Sequence, residues 1–235
     1  MTERGMIFNG EMVRAILDGR KTQTRRIMKP QPEPCPRGGH WWPSNVFKTM
    51  LHVEDEMQNG KGGWGGLVGD ACPFGDVGDR IWVRETWAEA GASAPDLKLY
   101  RADYPEHVPS IYENVPPAEE IRWTPSIHMP RWASRILLEI TDVRVERLNA
   151  ISEEDAIAEG MQEVICPCCK GDSEYSTSQY DAETLAVVDE IPCRACESNR
   201  SKFFTLWDSI YGYGQHCIGE WVWVIEFKRV EGGAA

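Results

Sequence analysis

Two C-x-x-C pairs, Cys166-Pro-Cys-Cys169 and Cys193-Arg-Ala-Cys196, constrain this chain more than any other feature. A tight C-x-x-C turn aims two thiolates at one point, and two such turns complete a tetrahedron around one metal ion. Cys166, Cys169, Cys193 and Cys196 are therefore the expected ligands of one structural zinc. With cysteine at all four positions, no coordination site is left open for catalysis. Cys168 is an ambiguity, because it can replace a neighbouring ligand. Two separate redox-labile thiol pairs are the alternative. The stretch between the pairs, Ser-Glu-Tyr-Ser-Thr-Ser-Gln-Tyr-Asp at 173–181, is too polar to hold itself together, so a metal staple suits it. Cys35, Cys72 and Cys217 are scattered and read as buried packing residues.

A chain of 235 residues suits one elaborated domain or two small ones. No apolar run approaches the ~20 residues of a membrane span. The first residues, Met-Thr-Glu-Arg-Gly-Met-Ile-Phe-Asn, lack the apolar stretch of a signal peptide. The expectation is a soluble cytoplasmic protein with no membrane partner, whose eight cysteines serve as thiols and metal ligands rather than disulfides. The net charge of -12 argues against broad binding of duplex DNA, where phosphate neutralisation dominates. Positive charge is nevertheless concentrated at one place. Arg14, Arg20, Lys21, Arg25, Arg26 and Lys29 stand against only Asp18. A solvated face and a local anion-attracting site both fit that cluster.

The chain alternates strand and helix signals. Asn9 is a candidate N-cap for a helix through Met12, Val13, Ile16 and Leu17, with Gly19 ending it. Residues 22–28 read as extended. Residues 30–75 read as surface elaboration of loop composition, including the glycine-rich run at 60–66. Arg-Ile-Trp-Val-Arg-Glu-Thr-Trp at 80–87 is a strand, and 90–130 is Pro-rich and irregular. A long strand pair or a bent strand is expected over 135–148. Ser152 caps a short helix, Asp155 stands where a capping box puts its acid, and Gly160 stops the helix. Phe203, Phe204, Leu206, Trp207, Ile210 and Tyr211 mark an amphipathic helix. The last strand, Glu-Trp-Val-Trp-Val-Ile-Glu-Phe-Lys at 220–228, is apolar enough to be central. Together these indicate an α+β fold with a mixed sheet or small barrel.

The densest polar chemistry is Gly-Arg-Lys-Thr-Gln-Thr-Arg-Arg at 19–26. A lysine among Arg20, Arg25 and Arg26 is pushed toward its neutral form, which can take a proton from a hydroxyl such as Thr22 or Thr24. A phosphate-binding loop without chemistry is the competing reading. In an ideal strand Lys21 and Thr24 point to opposite faces, so their co-operation requires a turn or bulge near residue 22.

The block from Phe8 to Arg26 resembles the N-terminal signature of ASCH domains, which have a PUA-like fold of a small β-barrel with flanking helices. The resemblance continues through Val-Gly-Asp-Arg-Ile-Trp-Val at 77–83, Leu-Glu-Ile-Thr-Asp-Val-Arg-Val-Glu-Arg-Leu at 138–148, and Ile-Ser-Glu-Glu-Asp-Ala-Ile-Ala-Glu-Gly-Met at 151–161. It ends with the helix containing Phe203 to Tyr211 and the closing strand. Segments at about 30–75, 90–130 and 162–200 are extra relative to a compact member, and the whole chain is similar to the larger ASCH proteins of phages and prophages. Small bacterial members are amidohydrolases that deacetylate N4-acetylcytidine. The resemblance carries their catalytic Lys and Thr onto Lys21 and Thr24, and their catalytic Glu onto Glu159. It implies that Lys21 activates Thr24, that Glu159 protonates the leaving amine, and that Arg26 or backbone N–H groups stabilise the oxyanion. Other members are RNA-binding domains or ribonucleases.

A further strip, residues 122–135, holds Trp123, His128, Arg131, Trp132 and Arg135. Stacking on a base and contact with phosphate suit it as well as packing within a prolyl connection. The sequence thus points to a single elaborated domain over residues 1–235, α+β and PUA-like, with a zinc-knuckle insertion. The expected activity is an amidohydrolase on an N4-acylated cytidine-like nucleoside or base. The catalytic residues are Lys21, Thr24 and Glu159, with Arg26, His128, Arg131, Trp132 and Arg135 for substrate. The alternatives are a non-catalytic module for RNA or modified nucleic acid, a ribonuclease, and a zinc-stabilised assembly factor. The expected partner is a nucleoside, a modified base or single-stranded RNA.

Overall fold

The computed structural model describes residues 1–58, 67–91, 94, 96–172, 174–180 and 187–230. In chain order the elements are β1 (Glu3–Ile7), α1 (Gly10–Leu17), β2 (Gln23–Ile27), β3 (Glu33–Pro34), β4 (His40–Ser44), β5 (Thr49–His52), α2 (Val53–Glu56) and α3 (Leu67–Ala71). There follow β6 (Arg80–Arg84), β7 (Trp87–Glu89), β8 (Lys98–Tyr100), β9 (Leu137–Arg147) and α4 (Glu153–Ala158). The chain continues with β10 (Glu174–Tyr180), β11 (Val187–Pro192), α5 (Asn199–Tyr211) and β12 (Trp221–Arg229). Among the described residues, no helix is long and apolar enough to cross a membrane.

The fold is α+β around a five-stranded mixed sheet in the order β1-β6-β9-β12-β2. β1 and β6 run parallel, and the other pairs are antiparallel. The expected central strand is β12, paired along its length with β9 on one side and β2 on the other. Its period-two alternation divides two cores. Trp221, Trp223, Ile225 and Phe227 enter the larger core, while Val222 and Val224 meet Phe203, Leu206 and Trp207 of α5 in a second. Both faces are covered, which is why the strand reads as almost continuously apolar.

Among the described residues, no pairing joins β2 to β1, so the sheet is open at that side. One side chain bridges the gap: Arg26 donates to the Ile7 carbonyl at 2.8 Å. α1 and α4 stand beside it. Asn9 caps α1 by accepting from the Met12 N–H at 2.8 Å, and Ser152 caps α4 by accepting from the Asp155 N–H at 3.0 Å. Asp155 itself faces Gln23, Arg25 and Arg144 instead of closing a capping box.

Residues 30–75 differ from the expectation. They carry the small sheet β3-β4-β5 and two short helices. Trp42, Leu51, Val53, Met57, Val68 and Ala71 enter the main core, where Trp42 packs edge-on against Trp223 at 5.4 Å. The segment is surface elaboration by composition, yet it supplies one wall of the core. The glycine-rich run at 60–66 lies outside the described residues. The polar stretch between the cysteine pairs includes β10, which pairs antiparallel with β11, while residues 173 and 181 lie outside the described residues.

Candidate active site and metal centre

The site forms where α1, β2 and α4 meet. Lys21 precedes β2 in an isolated antiparallel bridge with Glu159, the residue that ends α4. Thr22, between the Lys21 bridge and β2, bonds its N–H to the Ala158 carbonyl at 2.8 Å. Gly160 makes the approach possible. Its φ is +87°, and a Cβ there would stand 2.9 Å from the Ala15 Cβ and 3.2 Å from the Lys21 Cβ.

Lys21 and Glu159 are each 2% exposed. Lys21 Nζ donates to Glu159 Oε2 at 2.6 Å and to the Glu159 carbonyl at 3.0 Å. Arg25, with a side chain fully removed from solvent, donates to Glu159 Oε1 at 3.2 Å and to Asp155 Oδ2 at 2.8 Å. It also reaches Glu146 Oε2 at 3.1 Å. Burial pushes the Lys21 ammonium below its usual range, and the nearby Arg26 and Arg25 act in the same direction; the Glu159 carboxylate opposes them. The basic cluster is therefore not a solvated face as a unit. Lys21 and Arg25 are internal charges matched by carboxylates from α4 and β9, whereas Arg14 and Lys29 are exposed.

A pocket of about 230 Å³ opens against these groups. Thr24, Arg25 and Arg26, consecutive on edge strand β2, line it together with Glu159. Asn9 and Met12 contribute from α1 and its cap. The opposite wall is the helical stripe Phe203, Leu206, Trp207, Ile210 and Tyr211 of α5. That helix is fixed at its start by Ser198, which accepts from Ser201 N–H, and by the Glu153 carboxylate, which accepts from the Asn199 and Arg200 N–H groups. Arg26 lies over the Phe8 ring at 5.2 Å, and its buried Nε has no hydrogen-bond partner. Thr24, Arg26 and Glu159 thus border one cavity, and Lys21 is bonded to Glu159 at its edge. Arg25, Asp155, Glu146 and the α5 stripe were missed as site residues by sequence. Only the stripe announced itself, through its helical spacing.

The strip at 122–135 lies elsewhere. His128, Arg131, Trp132 and Arg135 do not line this pocket. Arg135 is held by both oxygens of Glu85, at 2.9 and 3.0 Å, and both of Asp103, at 2.7 Å each. Burial works against its charge, but those bonds outweigh it and raise its pKa. It also stacks on Tyr100 at 4.0 Å. Arg131 pairs with Glu3 at 2.9 Å. Trp132 meets Trp87 edge-on and remains 55% exposed, and His128 is exposed. Trp123 donates to the Ala118 carbonyl.

The four expected metal ligands come together. The Sγ atoms of Cys166, Cys169, Cys193 and Cys196 all lie within 4.8 Å of one another, so the group can hold a metal ion. Cys166 Sγ and Cys193 Sγ are 3.9 Å apart, and Cys169 Sγ and Cys196 Sγ 3.4 Å. Those separations bracket the roughly 3.8 Å edge of a tetrahedron with metal–sulfur bonds of about 2.3 Å. They are far beyond a disulfide bond of about 2.05 Å. Cys168 is exposed and outside the cluster. Cys35 and Cys72 are buried, as expected; Cys217 is exposed, against expectation. Comparison with protein-family models, with curated proteins and with solved structures finds no match for this chain.

Proposed function

We propose that this chain is a PUA-like ASCH domain acting as an amidohydrolase on an N4-acylated cytidine-like nucleoside or base. The observation that carries the reading is the junction of Lys21 and Glu159 beside a cavity that Thr24 and Arg26 also line. The volume of about 230 Å³ falls below the roughly 300–1,000 Å³ of sites for drug-sized ligands, which suits a single base. The aromatic wall of Phe203, Trp207 and Tyr211 offers it rings to stack on. The side-chain bridge from Arg26 to Ile7 spans the side on which a barrel of the PUA type would close.

In this reading Thr24 Oγ1 attacks the acyl carbon while its proton passes to unprotonated Lys21 Nζ. Arg26 stabilises the oxyanion. The proton moves through the Lys21–Glu159 hydrogen bond to the leaving exocyclic nitrogen as the C–N bond breaks. Water then cleaves the threonyl ester, releasing the acid. Zinc occupies the four-cysteine centre and ties the 162–200 insertion together without touching the reaction. The partner is a nucleoside or single-stranded RNA, and neither a membrane nor broad duplex DNA is involved. A second reading, a non-catalytic module that binds a base, is favoured by the closed Lys21–Glu159 pair, which occupies the base the reaction needs. Acetate release from N4-acetylcytidine by the wild type and by Thr24→Ala decides between them: only the amidohydrolase releases acetate, and only with Thr24 present.

A further inference from the structure

On the far side of α5 from the pocket, three residues stand in series. Asp208 Oδ2 accepts from His216 Nδ1 at 2.8 Å, and His216 Nε2 lies 3.2 Å from Cys217 Sγ. Asp208 and His216 are positioned by further contacts. The Asp208 carboxylate accepts from the His216 N–H at 3.0 Å and the Gly214 N–H at 2.8 Å. Burial raises its pKa, but these backbone bonds and His216 outweigh burial and hold it below the usual carboxylate range. The His216 ring stacks on Phe204 with centroids 5.0 Å apart and planes at 22°. An ionised carboxylate only accepts, so Nδ1 carries a proton, and in the neutral ring Nε2 is then the acceptor that faces the thiol. Cys217 is exposed. A cavity of about 540 Å³ adjoins His216 and Asp208 and is lined also by Phe204, Tyr213, Arg194 and Cys168, while Cys217 lies just outside its lining, hydrogen-bonded to His216.

We propose that Cys217, His216 and Asp208 form a nucleophilic thiol site that reacts with small disulfides. The order carboxylate, imidazole, thiol is that of an activated nucleophile, with the base oriented by a third group. His216 Nε2 takes the thiol proton as Cys217 Sγ attacks one sulfur of the disulfide. A new S–S bond forms to that sulfur, and the other leaves as a thiolate that recovers the proton. Cys217 is oxidised and the small disulfide reduced in equal measure. The cavity gives the incoming molecule room, and Arg194 in its wall supplies a positive charge for an anionic one. The site is independent of the Lys21 pocket.

Glutathione disulfide is the probe, applied to the full chain, with peptide mass spectrometry to place the mixed disulfide. A free cysteine-containing peptide in the same solution is the reference, because Cys168 stands beside the four-cysteine cluster and lines the same cavity as His216. Cys217 should react roughly tenfold or more faster than that peptide at neutral pH. His216→Gln should remove that advantage while leaving Cys217 fully labelled once the chain is denatured. Imidazole added to His216→Ala should restore part of the rate, which a merely structural histidine would not allow. Equal rates at Cys217 of the unsubstituted chain and at the reference peptide would overturn the proposal, as would an undiminished rate in His216→Gln.

Discussion

Lys21 Nζ and Glu159 Oε2 lie 2.6 Å apart in the interior although 138 residues separate them in sequence. A buried pair of this kind is costly to break from one side, because the remaining charge stays out of water. The two sides are unequal. Removing Lys21 leaves Glu159 bonded to Arg25, whereas removing Glu159 leaves Lys21 without its carboxylate and Arg25 with only the partly exposed Asp155 and Glu146. Glu159→Leu should therefore cost about 3–5 kcal/mol of stability, and Lys21→Met distinctly less. Urea unfolding of both variants measures the order. A larger loss in Lys21→Met would mean that Arg25 does not compensate the carboxylate.

The same pair has a pH signature. Burial is the largest influence on Lys21 and lowers its folded pKa below the usual lysine value of 10.5. The unfolded chain therefore binds that proton more tightly than the folded one. Stability of the wild type relative to Lys21→Met should rise with pH between the folded pKa and 10.5, and level off above it. One proton limits the slope to about 1.4 kcal/mol per pH unit. Denaturation midpoints of the two proteins across the alkaline range would show it, and a gap that narrows with rising pH would contradict the sign.

Zinc should be present at one equivalent per chain in protein purified without added metal. The motive is the four-thiol cluster within 4.8 Å. Cys193→Ser should loosen residues 162–200 far more than the central sheet, because those thiols form their own small cluster apart from the two main cores. Elemental analysis and hydrogen exchange are the measurements. A metal-free chain with the insertion fully protected would rule the centre out.

Trp42 separates composition from packing. It sits in a segment that reads as loop, yet it is 5% exposed and edge-on to the fully buried Trp223. Trp42→Ala should cost about 3–5 kcal/mol, as for large core aromatics. A change within ±0.5 kcal/mol, usual for surface positions, would restore the reading of residues 30–75 as mere elaboration.

What was legible follows from where each signal resides. The Asn9 and Ser152 caps, the α5 stripe and the continuous apolar run of β12 are local patterns, and each forms where the sequence points. The cysteine centre is equally local, two tight turns with fixed chemistry. Charge fate is not local. Arg25 reads as part of a solvated face or an anion-attracting site and Arg135 as a substrate contact, but their carboxylates come from distant segments: Glu159, Asp155 and Glu146 for one, Glu85 and Asp103 for the other. Gly- and Pro-rich neighbours likewise obscured Trp42, which residues 30–75 send into the core. Cys217 was read as buried because cysteine usually is, and its exposure beside His216 became visible only in three dimensions.

Catalysis gives the sharpest test of the pocket. If Thr24 is the nucleophile and Lys21 its base, Thr24→Ala and Lys21→Ala should each nearly abolish acetate release from N4-acetylcytidine. The double variant should be little worse than either, because groups that act as a unit are strongly non-additive. Glu159→Gln should preserve substrate binding while slowing breakdown of the tetrahedral intermediate, and one limb of the pH–rate profile should disappear. Arg26→Lys keeps the charge but loses the planar fork that reaches Ile7, so it should lower kcat with a smaller change in KM. A binding module would release no acetate; Lys21→Ala would weaken its affinity and Thr24→Ala would change little. Because loss of Lys21 also disturbs a buried ion pair, rates need normalising to the folded fraction at each temperature. Thr24→Ala removes no charge, so it is the cleanest arm. Acetate release equal to wild type in that variant would exclude Thr24 as the nucleophile and with it the mechanism.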